Sequence, residues 1–161
     1  MGLGKTLQTI SLIAYLKVER KLKGPSLVVC PLSVLSAWCT EFATWAPSLR
    51  VVKLHAVDVR ERERRAKALI TELGSYDVVV TTYEMLKNPA MKSTLVQRMH
   101  WRCFVIDEGH VIKNPNTNLS QTCRKVHYHF GLLLTGTESH ATTSPASRIR
   151  ASHAPCKSRW K

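Results

Sequence analysis

Four runs of apolar and β-branched residues constrain this chain more than any other feature: 27–30, 77–82 (unbroken after Asp77), 103–106 and 132–134, with 51–54 as a further strand candidate. A strand with one wet face alternates apolar and polar side chains, whereas a strand buried on both faces has no polar positions to show. Between the runs, apolar residues recur at three- and four-residue spacing, the mark of helices packed on one side. Buried strands alternating with such helices imply an α/β fold, a parallel sheet with helices on both faces.

The helices can be placed from their punctuation. Leu7, Ile10, Leu12, Ile13 and Leu16 make one apolar face over 6–17, and Gly24-Pro25 breaks the chain before the first strand. Val34, Leu35, Trp38, Phe42 and Trp45 predict a helix over 33–45 closed by Pro47, with both tryptophans in the core. Asp58 is placed to cap a charged helix that Gly74 ends. Within it, Arg60-Glu-Arg-Glu-Arg-Arg65 reads as a solvated face, because Glu61 and Arg65 are spaced for pairing along the helix. A helical stretch over 84–96 is interrupted near Pro89, and a short helix fits 118–126.

After Thr137 the pattern stops, and 138–161 reads as a disordered basic tail. With 44% apolar residues in 161, the chain can bury one core, so residues 1–137 are expected to form one domain. No stretch reaches the roughly 18 apolar residues that a membrane span requires, and the N-terminus lacks the layout of a secretory signal, so a soluble intracellular protein is expected.

The net charge is +13, and a large positive excess favours a polyanionic partner. The tail holds five Lys/Arg against one acid, so about nine of those charges belong to the patterned region. Five cysteines without a C-x-x-C pair fit neither a disulfide framework nor a zinc ribbon. Cys123, His127 and His129 lack a fourth partner at a metal-ligand spacing.

Met1-Gly-Leu-Gly-Lys-Thr6 matches the second half of a phosphate-binding loop and opens a helix. Gly2, Leu3 and Gly4 would let backbone N–H groups close around phosphate oxygens, with the helix N-terminus adding partial positive charge. Lys5 would reach the outer phosphates, and the Thr6 hydroxyl would hold Mg2+. Asp107-Glu108, after the apolar run 103–106, supplies the complement: one carboxylate for the metal shell and one to orient or deprotonate a water. In an open parallel sheet, ligands collect at the carboxyl ends of the strands, where Pro31, Thr81, Asp107 and Thr135 would all lie.

Met1-Gly-Leu-Gly-Lys-Thr-Leu-Gln-Thr-Ile10, Val28-Val-Cys-Pro-Leu-Ser33, Val80-Thr-Thr-Tyr-Glu84, Val105-Ile-Asp-Glu-Gly-His-Val-Ile-Lys-Asn114 and Leu132-Leu-Leu-Thr-Gly-Thr137 resemble successive motifs of Swi/Snf-type ATPases, in that family's order. The resemblance implies the first of two RecA-like lobes of a helicase-like motor that moves along double-stranded DNA. It implies ATP and Mg2+ on Gly2, Gly4, Lys5, Thr6, Asp107 and Glu108, and coupling of that site by His110 to Thr135, Gly136 and Thr137. Pro31, Ser33, Thr81 and Thr82 would touch the DNA backbone without reading sequence. Nucleosomes as partners of the full-length protein and a nuclear location follow from the same likeness.

The family pattern has a strand and an acidic pair before the position of Met1, and a proline after that of Thr137, where Glu138-Ser139-His140 opens unrelated sequence as a frameshift or mis-splicing would give. The second lobe with its arginine finger is expected to be missing, and with it most ATP turnover. Two other readings remain open on the residues alone: a different P-loop enzyme, such as a small-molecule kinase, and a non-catalytic remnant that binds nucleic acid through charge.

Overall fold

A computed structural model describes residues 4–135. In order they form α1 (Lys5–Ala14), β1 (Ser26–Cys30), α2 (Leu35–Trp45), β2 (Val51–Leu54), α3 (Val59–Thr71), β3 (Val78–Thr82), α4 (Tyr83–Lys87), α5 (Pro89–Lys92), β4 (His100–Ile106), α6 (Asn118–Cys123) and β5 (His127–Leu133). The strands make one five-stranded sheet in the order β2-β3-β1-β4-β5, with every neighbouring pair parallel.

The uninterrupted runs are explained by helices on both sides. Leu27, Val29, Val79, Phe104 and Ile106 share one apolar layer with Leu69, Leu86, Met91 and Leu95. Their sequence neighbours Val28, Cys30, Val78, Val80, Cys103 and Val105 share the other with Ile10 and Ile13 of α1 and Leu35, Trp38 and Phe42 of α2. Each large side chain buried this way contributes about 1.5–3 kcal/mol, so neither helical layer can be lost without exposing the sheet. No helix among the described residues is long and apolar enough to cross a membrane.

Several boundaries differ from the sequence expectation. The last strand starts at His127 rather than at residue 132, because it is the sheet edge and His127, His129 and Phe130 are exposed there, on either face. The fourth strand likewise starts at His100, three residues early. The stretch 84–96 is split at Asn88, whose side chain accepts from Met91 N at 3.3 Å and caps α5 ahead of Pro89. A wider helical turn, Ser93–Arg98, completes it. Trp45 is not a core residue: it is 57% exposed, and its indole N–H donates to Glu41 at 2.7 Å. Asp58 does cap α3, accepting from Glu61 N at 3.0 Å, and Arg65 pairs with Glu61 at 2.6 Å. The tail 138–161 lies outside the described residues.

Candidate functional site

The site is built where β1, β4 and β5 end. Gly4 is the N-cap residue of α1 in the left-handed region, φ 67°, which glycine adopts without a Cβ penalty. No side chain caps α1, so its first-turn N–H groups are left to whatever approaches the helix axis. Thr6 is half-buried in that first turn. The Lys5 amine donates to the backbone carbonyl of Thr135, just past β5.

Asp107 follows β4 directly, and its N–H donates to Val29 of β1 at 2.9 Å. Three donors hold the residue: Trp38 Nε1 at 2.9 Å to Oδ2, the Glu108 N–H at 2.9 Å to Oδ1, and the Tyr83 hydroxyl to the main-chain carbonyl. Glu108 adopts φ 55°, a left-handed conformation that costs a non-glycine residue about 1–3 kcal/mol and recurs at functional sites. The Gly109 N–H donates to Leu134 at 2.7 Å, and Leu134 N–H donates to Ile106 at 2.8 Å. The acidic turn is thus laced to the end of β5, one residue before the carbonyl that holds Lys5. Adjacent strands lie only about 5 Å apart, so Lys5 and Asp107 occupy one edge of the sheet.

His110 does not reach Thr135 among the described residues; its Nδ1 lies 3.1 Å from Glu108 Oε2. The connection to β5 runs instead through the Gly109 backbone and through Lys5. Gly2, Leu3, Gly136 and Thr137 fall outside the described residues.

Of the residues expected to meet DNA, Ser33 is exposed and Pro31 half-buried, at the start of the turn leading into α2. Thr81 and Thr82 correct the expectation. They are the last two residues of β3, 0% and 1% exposed, and pair with Val29 and Cys30. The Thr81 hydroxyl donates to Leu54 at 2.9 Å, and Thr82 Oγ1 is buried without a partner. Neither side chain is on the surface in this arrangement. Lys53, which sequence reasoning passed over, is exposed beside this turn and donates to Ser36 Oγ at 2.8 Å.

Trp38 and Tyr83 were also missed: helical spacing marks Trp38 simply as core, and Tyr83 stands between the strand run 77–82 and the helical stretch 84–96 with no role of its own. The signal available was chemical: a buried indole or phenol needs an acceptor for its polar tip. Burial, and then neighbours including Asp107, push the Tyr83 hydroxyl well above the ordinary tyrosine range, so it is a permanent donor. Burial and then Asp107 raise Cys30 to about 12, which leaves it an inert thiol.

The donor set fits a metal-bound polyphosphate. An amine, a hydroxyl and uncapped helix N–H groups stand on one side, and two carboxylates on the other. Mg2+ is usually held by one or two carboxylates together with phosphate oxygens.

Comparison with known proteins decides the family, since the model described as SNF2-related domain matches residues 1–139. The chain belongs to the SNF2-related domain family. It is 45% identical over 139 residues to the transcription regulatory protein SNF2 of Saccharomyces cerevisiae, covering 85% of this chain and 8% of that protein. It is also 45% identical over 139 residues to the human SWI/SNF-related matrix-associated actin-dependent regulator of chromatin subfamily A member 1, covering 85% and 13%. Among solved structures it is similar to the Sulfolobus solfataricus SWI2/SNF2 ATPase core in complex with dsDNA, with a TM-score of 0.69 and 38% identity, covering 85% of this chain and 26% of that one. This SNF2-related segment therefore spans only about a tenth of the length of those curated relatives. The all-parallel sheet with two helical layers is the architecture expected of a RecA-like lobe.

Proposed function

We propose that this chain is the ATP- and DNA-binding part of an ATP-dependent translocase acting on double-stranded DNA, and that the full-length protein works on nucleosomes in the nucleus. The observation that carries the reading is the meeting of Lys5 and Asp107 at one sheet edge, through Thr135 and the Gly109–Leu134 link. A glycine turn and an acidic turn so joined can share one nucleotide.

In this reading Lys5 would leave the Thr135 carbonyl for the outer phosphate oxygens, and the inner ones would fall to the uncapped N–H groups of α1 together with Gly2, Leu3 and Gly4. Thr6 and Asp107 would hold Mg2+, which would supply neutralisation of the charge on the phosphates. Glu108 orients and deprotonates the attacking water, and the adjacent His110 holds the Glu108 carboxylate. Thr135, Gly136 and Thr137 report the state of the site to the rest of the lobe. Pro31 and Ser33, with Lys53 nearby, meet the DNA backbone; the net charge of +13 supports such sequence-independent contact. Turnover needs a stabilising arginine worth about 10³–10⁵ in rate, which the family supplies from a second lobe, so this chain alone binds nucleotide and hydrolyses it negligibly.

A titration with a fluorescent ATP analogue tests the reading. Binding that requires Mg2+, and whose affinity changes when a duplex of arbitrary sequence is added, is the expected result. Binding indifferent to duplex would point to a P-loop enzyme without a DNA groove.

A further inference from the structure

Trp38 and Tyr83 come from different helices on opposite faces of the sheet and end on the same residue, Asp107. Trp38 is 2% exposed in α2, one turn beyond the segment that holds Pro31 and Ser33. Tyr83 is buried and opens α4, immediately after Thr82.

Packing alone does not require either polar tip, since a phenylalanine ring would fill most of each space. What the indole N–H and the phenol O–H add is direction. Asp107 Oδ2 accepts from the Trp38 indole N–H and Oδ1 accepts from the Glu108 N–H, which sets the plane of the carboxylate. A carboxylate oxygen has two lone-pair positions, so each oxygen keeps one for a metal or its water. Meanwhile Tyr83 fixes the main chain from which that carboxylate hangs. Donors of this kind orient a metal ligand, and losing one typically lowers metal affinity about 10- to 100-fold.

We propose that Trp38 and Tyr83 are positioning residues that aim the Asp107 carboxylate at Mg2+ and tie its aim to the segments after β1 and β3. The inference rests on the nucleotide and DNA reading above and extends it. Movement of the Pro31–Ser33 segment on DNA shifts α2, and α2 carries the indole that holds Asp107. DNA occupancy is thereby felt at the metal ligand without any contact between DNA and nucleotide.

The test uses the 161-residue chain labelled with 15N, in which the Trp38 indole N–H resonance is recognised by its disappearance in Trp38→Phe. That resonance is expected to move in Asp107→Asn, on addition of Mg2+ with ATP, and again on addition of duplex. Trp38→Phe is expected to weaken Mg2+-dependent nucleotide binding about 10- to 100-fold while binding in EDTA and affinity for duplex stay unchanged, and the effect of duplex on nucleotide affinity disappears. Tyr83→Phe, which removes one hydroxyl and keeps the ring, is expected to act in the same direction if Trp38→Phe does not fold. Retention of both the Mg2+ dependence and the duplex effect in folded Trp38→Phe and Tyr83→Phe overturns this inference and leaves the nucleotide reading standing. Wild-type protein without Lys5-dependent nucleotide binding overturns both.

Discussion

Lys5 and Thr135 are separated by 130 positions in sequence, yet the amine of one donates to the backbone carbonyl of the other. The contact holds a cation at the mouth of the α1 N-terminus. A phosphate must therefore compete with one neutral acceptor that is already bonded, and the ion pair it offers is the stronger interaction. Hydrogen bonds to charged groups are worth about 1.5–3 kcal/mol, so Lys5→Ala should weaken ATP binding about 10- to 100-fold. Because the amine is exposed, the melting temperature should hardly change. Calorimetric titration of both proteins, alongside thermal melts, checks the two halves of this prediction.

Asp77 predicts an acid-dependent loss of stability. It is 5% exposed just before β3, and it accepts from the Arg50 N–H at 3.0 Å, from the Arg50 guanidinium at 3.0 and 3.2 Å, and from Lys17 at 2.9 Å. Burial alone would raise its pKa, but the bonds from Arg50 and then Lys17 outweigh this and bring it from 3.8 down to about 2. A carboxylate whose pKa is depressed on folding stabilises the protein above its unfolded pKa and stops doing so as pH falls through the folded one. The stabilisation, on the order of 2 kcal/mol, should be complete at neutral pH and disappear between about pH 4 and pH 2. Urea unfolding of wild type and Asp77→Asn across that range is the check: the two should differ at pH 7 and converge near pH 2.

The sheet was legible because its inner strands are covered on both faces, so that Val78, Val79 and Val80 run on with no polar residue between them. Where one side is open the signal failed, as at His127, His129 and Phe130 on the edge strand. Pro89 announced a break, but nothing in the sequence announced the wide turn that follows it. The neighbourhood of Lys5 and Asp107 was legible through chemistry, since a helix opened by glycine and a strand ended by two acids both belong at one sheet edge. The role of Trp38 was not legible, because its acceptor lies 69 residues away and spacing along a helix says only which face is buried. Thr81 and Thr82 misled for a different reason: the run 77–82 already placed them in a buried strand, and the DNA contact came from the resemblance alone, against a register that pairs them with Val29 and Cys30.

Asp58 offers a local test of the α3 boundary. Its carboxylate is the side-chain acceptor at the helix start, and the residue is exposed. Replacing such a cap by alanine typically costs about 1 kcal/mol. In a domain of this size, that corresponds to a fall of about 3 °C in melting temperature. Asp58→Ala should show this shift with no change in nucleotide affinity, because Arg62 and Arg65 tie α3 to Ala56 and to Lys53 of β2, and β3 and β1 lie between β2 and the strand that carries Asp107. Asp58→Asn, which keeps an acceptor oxygen, should restore most of the loss.

Gly109 allows the acidic turn to be moved without altering any group proposed to touch nucleotide. A Cβ at this position would lie 2.4 Å from Leu133 Cδ1 and 2.5 Å from Leu133 Cγ, too close to be accommodated without movement. Leu133 is 48% exposed on the edge strand, so its side chain can swing aside at small cost to the fold. The Gly109 N–H bond to Leu134 is less forgiving, because it fixes the turn carrying Asp107, Glu108 and His110 against the segment that reaches Thr135. Gly109→Ala should therefore lower Mg2+-dependent ATP affinity clearly while lowering stability by no more than about 1–3 kcal/mol. Leu133→Ala removes the atoms that clash, so the double substitution Gly109→Ala with Leu133→Ala should bind nucleotide better than Gly109→Ala alone. A double-mutant cycle on affinity measures that coupling. A value near zero would mean that the spacing between the acidic turn and β5 does not govern the site.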